Sequence, residues 1–319
     1  MSDPAIRVAI VVFDGCMTSA VTGLLDALQI ANLWGAAFIA TTIGAGGAVT
    51  GSSGFSIPTS PLDDAPYDIA IVPPIMAPIP DTLAAGAAIV AWLRRRATTD
   101  TVIASVCAGA FFLAEAGLLA GRRATTNPMF ADAFRRRFGD VELACNERLV
   151  DEGRVLCAGS TTAFLDLAVY LIDRFVGHAI AVATAKSLCI DMVHRSQQPF
   201  FLYVAPKDHG DAGVLELQTW LEGHYSGPIE AAQLARQGAM SQRTLNRRFR
   251  SATGLSPIEY LHRLRIEGAK RLLETSALSV DEITARVGYA DARSFSRLFR
   301  TSAGLTPREY RTRFGPQRL

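Results

Sequence analysis

The stretch TVIASVCAGAFFLAEAGLL (residues 101–119) changes its pattern at Cys107. The residues before the cysteine form a short apolar run rich in β-branched side chains, which predicts a buried strand, and the residues after it favour a helix. Cys107 therefore lies where a strand becomes a helix. A thiol at such a position is a candidate nucleophile, and it is also a candidate for a small buried residue beside a binding pocket.

The same alternation of strand and helix continues over about the first 175 residues. The predicted strands are residues 7–13, 37–43, 68–72, 101–106 and 155–158, and the predicted helices are residues 18–33, 81–96, 108–119, 129–138 and 161–175. A further helix is predicted over residues 178–197. This order predicts an α/β domain with a parallel sheet and helices on both faces. Ligands of such sheets bind beyond the carboxyl ends of the strands, where Cys107 lies.

Composition indicates a folded chain of two domains. The 319 residues are 49% hydrophobic and 19% charged, which excludes a disordered protein. No secretory signal is recognisable at the N-terminus, and glycines and polar residues interrupt the longest apolar run, so we expect a soluble cytoplasmic protein without a membrane partner. Five cysteines without metal-binding spacing predict reduced thiols, no metal site and no cofactor.

Charge is distributed unevenly between the two parts. Residues 1–227 carry 15 Lys and Arg against 22 Asp and Glu, a net of −7, whereas residues 228–319 carry 17 against 8, a net of +9. A basic, arginine-rich module beside an acidic domain predicts binding to a polyanion.

Clustered prolines and glycines predict a linker at 198–212, which separates an effector domain (1–197) from the basic domain (213–319).

The basic domain contains an internal repeat. Shifted by fifty residues, ARQGAMSQRTLNRRFRSATGLSPIEY from Ala235 matches ARVGYADARSFSRLFRTSAGLTPREY from Ala285. Each copy predicts a helix-turn-helix, with a small residue at the helix crossing (Ala235 or Ala285) and a glycine with positive φ in the turn (Gly238 or Gly288). Ser241 and Asp291 are the predicted N-caps of the second helices.

The second helix of each copy has an apolar face and a basic face. The apolar residues, spaced by four, are Leu245, Phe249, Phe295 and Phe299. The predicted DNA-binding residues lie on the outer faces and are Arg243, Asn246, Arg247, Arg293, Ser296 and Arg297. Whether Arg247 and Arg297 contact bases or phosphates stays open. The connecting helix (257–274) would span about 27 Å, which suits two successive major grooves about 34 Å apart. The alternative to DNA binding is that these arginines form a solvated face of a helical interaction domain.

Two resemblances to known families follow from these motifs. GYADARSFSRLFRTSAGLTPREYRTRF resembles the signature of AraC/XylS transcription regulators, over about residues 214–314. It implies binding of double-stranded operator DNA through both helices. VAIVVFDG, LLDALQIAN, YDIAIVPP, SVCAGAFFLAEAGLLAGRRATTN and CAGSTTAFLDLAVYLI together resemble the class I glutamine-amidotransferase-like (ThiJ/PfpI) domain of GlxA-type regulators. This second resemblance implies a flavodoxin-like sandwich with Cys107 at a tight elbow.

The elbow lacks the partners that catalytic relatives use. Ala108 replaces a histidine that often follows the cysteine, Asn127 replaces a second common histidine, and the Gly-Gly after a neighbouring strand is Pro73-Pro74 here. Proline has no N–H with which to stabilise an oxyanion. None of the five histidines (178, 194, 209, 224 and 262) lies in a matching motif. The helix N-terminus alone would lower the pKa of the thiol.

We therefore expect a regulator whose first domain binds a small effector without turnover. We expect no catalytic residue, and Cys107 is the candidate for a vestigial nucleophile. The resemblance implies ligand-binding residues at Asp26, Pro74, Cys107, Ala108 and Asn127. It also implies a nitrogenous effector, since Asp26 suits a cation, and a homodimer is a candidate assembly. Catalysis by Cys107, redox sensing by Cys107 and a purely structural cysteine are the alternatives.

Overall fold

The computed structural model describes residues 5–192 and 196–316. They form two compact units, one ending at Gln197 and the other beginning at Gln198. The strands of the first unit are β1 (Ile6–Val11), β2 (Phe38–Thr50), β3 (Ser56–Pro61), β4 (Ile69–Val72), β5 (Val102–Val106), β6 (Arg123–Ala124), β7 (Glu142–Leu143), β8 (Leu149–Asp151) and β9 (Val155–Ala158). Its α-helices are α1 (Thr18–Leu33), α2 (Ile79–Ala85), α3 (Ala87–Arg96), α4 (Ala110–Glu115), α5 (Ala131–Arg137), α6 (Phe164–Phe175) and α7 (His178–Ser187).

Seven of these strands form one sheet, in the order β3-β2-β1-β4-β5-β9-β8. The five central strands are parallel, whereas β3 and β8 pair antiparallel at the two edges. The predicted mostly parallel α/β sheet is therefore confirmed. Strand β3 (SIPTSP) did not stand out in the sequence because it contains Pro58 and Pro61, which are tolerated on an edge strand where N–H groups need no partner.

Helices cover both faces of the sheet. Every residue of β4, β5 and β9 is buried, as expected for strands packed on two sides. Helices α1, α6 and α7 pack together as one group, and α2, α3 and α4 pack as another. Because β4, β5 and β9 run parallel, Pro73, Cys107 and Gly159 begin three loops at the same edge of the sheet.

Three predicted helices differ from the observed ones. The helix expected over 81–96 is divided at Gly86, where a Cβ would come within 2.4 Å of the Phe112 ring. The helix expected over 108–119 starts with a 3₁₀ turn at Cys107–Gly109 and ends at Glu115. The helix expected over 178–197 ends at Ser187, and residues 193–195 of that span lie outside the described part of the chain.

The second unit is all-helical in its described part. Its helices are α8 (Ala212–His224), α9 (Ala231–Gln237), α10 (Gln242–Thr253), α11 (Pro257–Thr275), α12 (Val280–Arg286), α13 (Ala292–Ala303) and α14 (Pro307–Phe314). It has two hydrophobic cores, one around Phe249 and one around Phe299. Helix α11 contributes Tyr260 to the first core and Leu273 to the second. The predicted pair of helix-turn-helix units joined by a long helix is confirmed.

The segment predicted as a linker, 198–212, packs within the second unit. The Phe200 ring lies 5.4 Å from the Phe314 ring, edge to face. Lys270 Nζ donates to the Phe201 carbonyl at 2.9 Å, and Gln218 Nε2 donates to the Pro206 carbonyl at 3.0 Å. No helix within residues 5–192 and 196–316 combines the length and apolar character that crossing a membrane requires.

Candidate functional site

Cys107 sits at a strained elbow between β5 and the 3₁₀ turn that leads into α4. Its φ is +56°, a left-handed conformation that L-residues other than glycine rarely adopt. The side chain is only 2% exposed. Backbone strain of this kind persists where the surrounding structure holds it in place, and it often marks a functional site.

Close packing of the turn on the end of β4 holds the elbow. A Cβ at Gly109 would lie 2.6 Å from the Val72 carbonyl oxygen and 2.7 Å from that of Pro73, so only glycine fits. The next residue, Pro74, is buried, and its carbonyl accepts a hydrogen bond from Met17 N at 3.0 Å. The Pro73-Pro74 segment therefore fills the space beside the elbow and offers no N–H from either proline.

Three loops meet around the thiol. Cys107 Sγ lies 3.8 Å from Thr161 Oγ1, and Asn127 Nδ2 donates to the same Oγ1 at 3.3 Å. Thr126 Oγ1 donates to the Cys107 carbonyl at 2.7 Å. Sequence reasoning identified Cys107 and Asn127 but missed Thr161, although the segment that contains Thr161 follows β9, whose carboxyl end lies at the same edge.

The environment keeps the Cys107 thiol protonated at neutral pH. Burial raises its pKa, and hydrogen bonds from the Ala108 N–H, Thr161 and Asn127 oppose this effect without cancelling it. The Ala108 N–H at the start of the 3₁₀ turn lowers the pKa of this thiol, as expected, but burial reverses the net direction of the shift. The desolvation of a thiolate in this buried position outweighs the few dipoles that face it.

Among the described residues, neither a histidine nor a carboxylate is hydrogen-bonded to the Cys107 thiol. His178 lies on α7 beside Asp173, and His209, His224 and His262 belong to the second unit. His194 lies outside the described part of the chain.

Pro74, Ala108 and Asn127 lie at the same edge of the sheet as Cys107, and Asp26 lies on α1. Ala108 is fully buried under the elbow, and Asn127 is half-buried with its Oδ1 accepting from Met129 N at 3.0 Å. Asp26 is exposed, eight residues into α1 and so about 12 Å from the first residue of that helix. No hydrogen bond or ion pair joins Asp26 to another described residue.

The second candidate site is the pair of helices α10 and α13. Ser241 Oγ accepts from Thr244 N at 3.2 Å, and the Asp291 carboxylate accepts from Ser294 N at 2.7 Å, so both predicted N-caps are present. The helices end at Gly254 and Gly304, with φ of 79° and 71°. The buried faces carry the four apolar residues that the pattern predicted: Leu245, Phe249, Phe295 and Phe299.

The outer faces of α10 and α13 present unpaired cations. Five of the six predicted DNA-binding residues are exposed and Ser296 is half-buried; the exposed ones are Arg243, Asn246, Arg247, Arg293 and Arg297. Within residues 5–192 and 196–316, none of these four arginines has a side-chain hydrogen bond or ion pair. By contrast, Arg248 forms an ion pair with Asp211 at 2.5 Å, and Arg250 forms one with Glu259 at 3.4 Å. The outward arginines are therefore available to an external anion.

Two details of the repeat differ from expectation. Gly288 has a φ of 89° as predicted, but Gly238 has a φ of −82°, and the left-handed residue of the first turn is Ala239 at 50°. Ala235 is buried as predicted, whereas Ala285 is exposed. The two turns therefore follow different backbone paths, which a fifty-residue match in sequence does not reveal.

A family model described as DJ-1/PfpI matches residues 6–174, more than half of the chain. The chain belongs to the DJ-1/PfpI family. A second model, described as a helix-turn-helix domain, matches residues 234–313 of this DJ-1/PfpI protein. The resemblances to a ThiJ/PfpI domain and to an AraC-type domain are thereby confirmed.

Relatives of this DJ-1/PfpI protein include named regulators. The HTH-type transcriptional regulator CdhR of Pseudomonas aeruginosa is 28% identical over 250 residues, which cover 76% of this chain and 72% of CdhR. The HTH-type transcriptional activator RhaS of Salmonella paratyphi B is 41% identical over 80 residues, 25% of this chain and 29% of RhaS. The first similarity spans both units and the second is confined to a quarter of the chain.

Solved structures share the fold of the first unit. Drosophila melanogaster DJ-1beta superposes with a TM-score of 0.52 at 17% identity, covering 59% of this chain and 100% of that one. An AraC family transcriptional regulator from Pseudomonas putida gives a TM-score of 0.51 at 21% identity, covering 57% and 99%. At these identities the similarity establishes the fold.

Proposed function

We propose that the chain is a transcription regulator that binds double-stranded operator DNA through α10 and α13 and a small effector through its DJ-1/PfpI unit. The observation that carries the DNA-binding part is the repeated helix-turn-helix with outward arginines that form no ion pair with a described carboxylate. A guanidinium can bind guanine O6 and N7 with two hydrogen bonds, or a phosphate. The similarity to CdhR across both units supports a regulatory role for the whole chain.

Three features of the elbow support effector binding without turnover. The Cys107 thiol has a raised pKa, its contacts include no base, and the adjacent Pro73-Pro74 segment supplies no oxyanion donor from either proline. The polar groups that remain, from Asn127 and Thr161, can hold an uncharged or zwitterionic ligand by hydrogen bonds. The same raised pKa disfavours the redox-sensing alternative, because peroxide oxidises thiolates.

The effector we propose is a small nitrogenous compound. Asp26 is an exposed carboxylate without a described partner, so it stays available to a cationic group. Assembly as a homodimer stays a prediction, which analytical ultracentrifugation of the full chain tests.

DNA binding is tested by selecting duplexes from a random pool with the full chain and then measuring affinities. Arg247→Ala and Arg297→Ala should each weaken binding to the selected duplex by about 1–3 kcal/mol if the side chain holds a base. Arg136→Ala is the control, since Arg136 is an exposed arginine of the first unit. A full chain that binds no selected duplex more tightly than random DNA would overturn the proposal.

Effector binding is tested by thermal shift against amino acids and quaternary amines. A compound at 100 times its dissociation constant stabilises the chain by about 2.7 kcal/mol. A shift that Asn127→Ala abolishes places the compound at the elbow, and one that Asp26→Ala abolishes places it at α1. Turnover of amide, aldehyde or nitrile substrates that disappears in Cys107→Ala would establish an enzyme instead.

A further inference from the structure

Gln197, the last residue of the first unit, has its side chain buried beneath the Cys107 elbow. It is 2% exposed. Its Nε2 lies within hydrogen-bonding distance of the Cys145 carbonyl (2.7 Å), the Thr126 carbonyl (3.2 Å) and Thr125 Oγ1 (3.2 Å). Its backbone N–H donates to the Asn146 carbonyl at 3.1 Å. The buried side-chain amide of Gln197 thus anchors the end of the first unit.

The surroundings are shaped to admit this side chain. A Cβ at Gly159, directly after β9, would lie 2.3 Å from Gln197 Nε2 and 2.4 Å from Oε1, so the glycine leaves the space that the amide occupies. Oε1 is buried and has no hydrogen-bond partner in the described residues. A buried polar atom without a partner costs free energy. The Gln197 side chain is thus hydrogen-bonded at Nε2 and unsatisfied at Oε1.

One residue links this amide to the elbow. The Thr126 carbonyl accepts from Gln197 Nε2, and Thr126 Oγ1 donates to the Cys107 carbonyl at 2.7 Å. Asn127, the next residue in the chain, donates to Thr161. A displacement of the 126–127 segment by a ligand would therefore change both the contacts of the thiol and the contacts of Gln197.

The following residue, Gln198, is anchored in the second unit. Gln198 Nε2 donates to the Thr301 carbonyl at 2.6 Å. Thr301 belongs to the last turn of α13, whose carbonyls lack partners within the helix. A single peptide bond thus joins a side chain held at the elbow to a side chain held at the end of a candidate recognition helix.

We propose that Gln197 is a positioning residue that couples the elbow to the DNA-binding unit. When the Thr126 segment shifts, the Gln197 amide loses its hydrogen bonds, and the chain leading to Gln198 and α13 is released. This proposal rests on the proposed function, because it assumes that the second unit binds DNA. The coupling acts in both directions, so bound DNA must also change the elbow.

That reciprocity allows a test in which operator DNA is the probe and the effector need not be known. The measurement is hydrogen exchange of peptides covering residues 101–127 in the full chain, free and saturated with a selected duplex. Typical allosteric coupling changes an affinity by about fivefold or more. If exchange of these amides requires release of the elbow, duplex binding in the wild type should change their exchange rate by a similar factor.

Two variants interrupt the connection at different points. Gln197→Glu keeps the size of the side chain but replaces the donor by a carboxylate that faces carbonyl oxygens. Thr126→Val removes only the hydrogen bond to the Cys107 carbonyl, and it serves if Gln197→Glu fails to fold. Gln29→Ala is the matched control, since Gln29 is an exposed glutamine on α1. The DNA-dependent change should vanish in the first two variants and persist in the control.

The possible results separate the two proposals. A wild-type chain that selects no duplex refutes the proposed function before the coupling is examined. A wild-type chain that binds its duplex without any change at residues 101–127 overturns the coupling. A folded Gln197→Glu or Thr126→Val variant that retains the full change overturns it as well, because a merely structural glutamine would not be required for the response to DNA.

Discussion

The Cys107 thiol should be almost inert at neutral pH, in contrast to the nucleophilic cysteine that its elbow suggests. This can be tested by timed alkylation of the native chain with iodoacetamide at pH 7. The structure supplies two reasons for slow reaction: the side chain is 2% exposed, and burial raises the pKa of the thiol. Alkylation requires both access and the thiolate form.

The expected alkylation rate of Cys107 follows from its limited access and its raised pKa. A free thiol of pKa about 8.5 is about 3% thiolate at pH 7, and Cys107 must lie below that fraction because its pKa is raised. Limited access lowers the rate further. Cys189 is exposed and serves as an internal reference in the same sample. We expect Cys107 to react at least about tenfold more slowly than Cys189.

The assay is mass spectrometry of the peptides that carry each cysteine, sampled over time. Cys157 gives a second reference, since it is fully buried and burial raises its pKa to about 11. The expected order is Cys189 first, with Cys107 and Cys157 far behind. If Cys107 reacts as fast as Cys189 at pH 7, the elbow stabilises a thiolate, and both the binding-without-turnover proposal and the pKa argument fail.

Three further predictions concern stability and DNA binding. Because burial raises the native pKa values of Cys107 and Cys157, the unfolded state loses its thiol protons first. The contribution of these two thiols to the free energy of unfolding should therefore be constant below about pH 8 and fall above it, as urea melts at rising pH would show; a rise in stability above pH 8 would contradict the buried thiols. Gly109→Ala should destabilise the first unit by about 1–3 kcal/mol through its clash with the β4 carbonyls, while Gly139→Ala, which makes only ordinary contacts, should leave melting unchanged. If Arg297 binds phosphate rather than a base, Arg297→Ala should weaken all duplexes alike and reduce the slope of log affinity against log salt by about 0.9; an unchanged affinity would remove Arg297 from the interface.

Local signals in the sequence were sufficient for the DNA-binding unit. Caps, turn glycines and apolar spacing of four residues are properties of neighbouring residues, and the repeat presented each of them twice. Ser241, Asp291 and Gly288 therefore appear in the structure in their predicted roles. The exception is the first turn, where the residue with positive φ is Ala239 and not Gly238.

Long-range contacts of the first unit were harder to predict from the sequence. The order of strand and helix predicted the sheet, but whether Thr161 approaches Cys107 depends on β5 and β9 being neighbours, which only strand order determines. The role of Gln197 was equally hidden, since its side-chain hydrogen bonds are with residues 52 to 72 positions away. The net direction of the Cys107 pKa shift was hidden for the same reason, because burial at the elbow is created by the packing of distant segments.

The strained backbone at Cys107 requires an explanation if the thiol performs no chemistry. A positive φ at a non-glycine residue costs about 1–3 kcal/mol, and glycine would relieve it. What the conformation achieves is visible in the contacts: it turns the Cys107 carbonyl toward Thr126 Oγ1 while Sγ faces Thr161. The elbow thereby joins the loop after β9 to the 125–127 segment, on which Gln197 is anchored. A geometry suited to exposing a nucleophile serves here to connect three loops at the edge of the sheet, and that connection depends on the backbone more than on the sulfur.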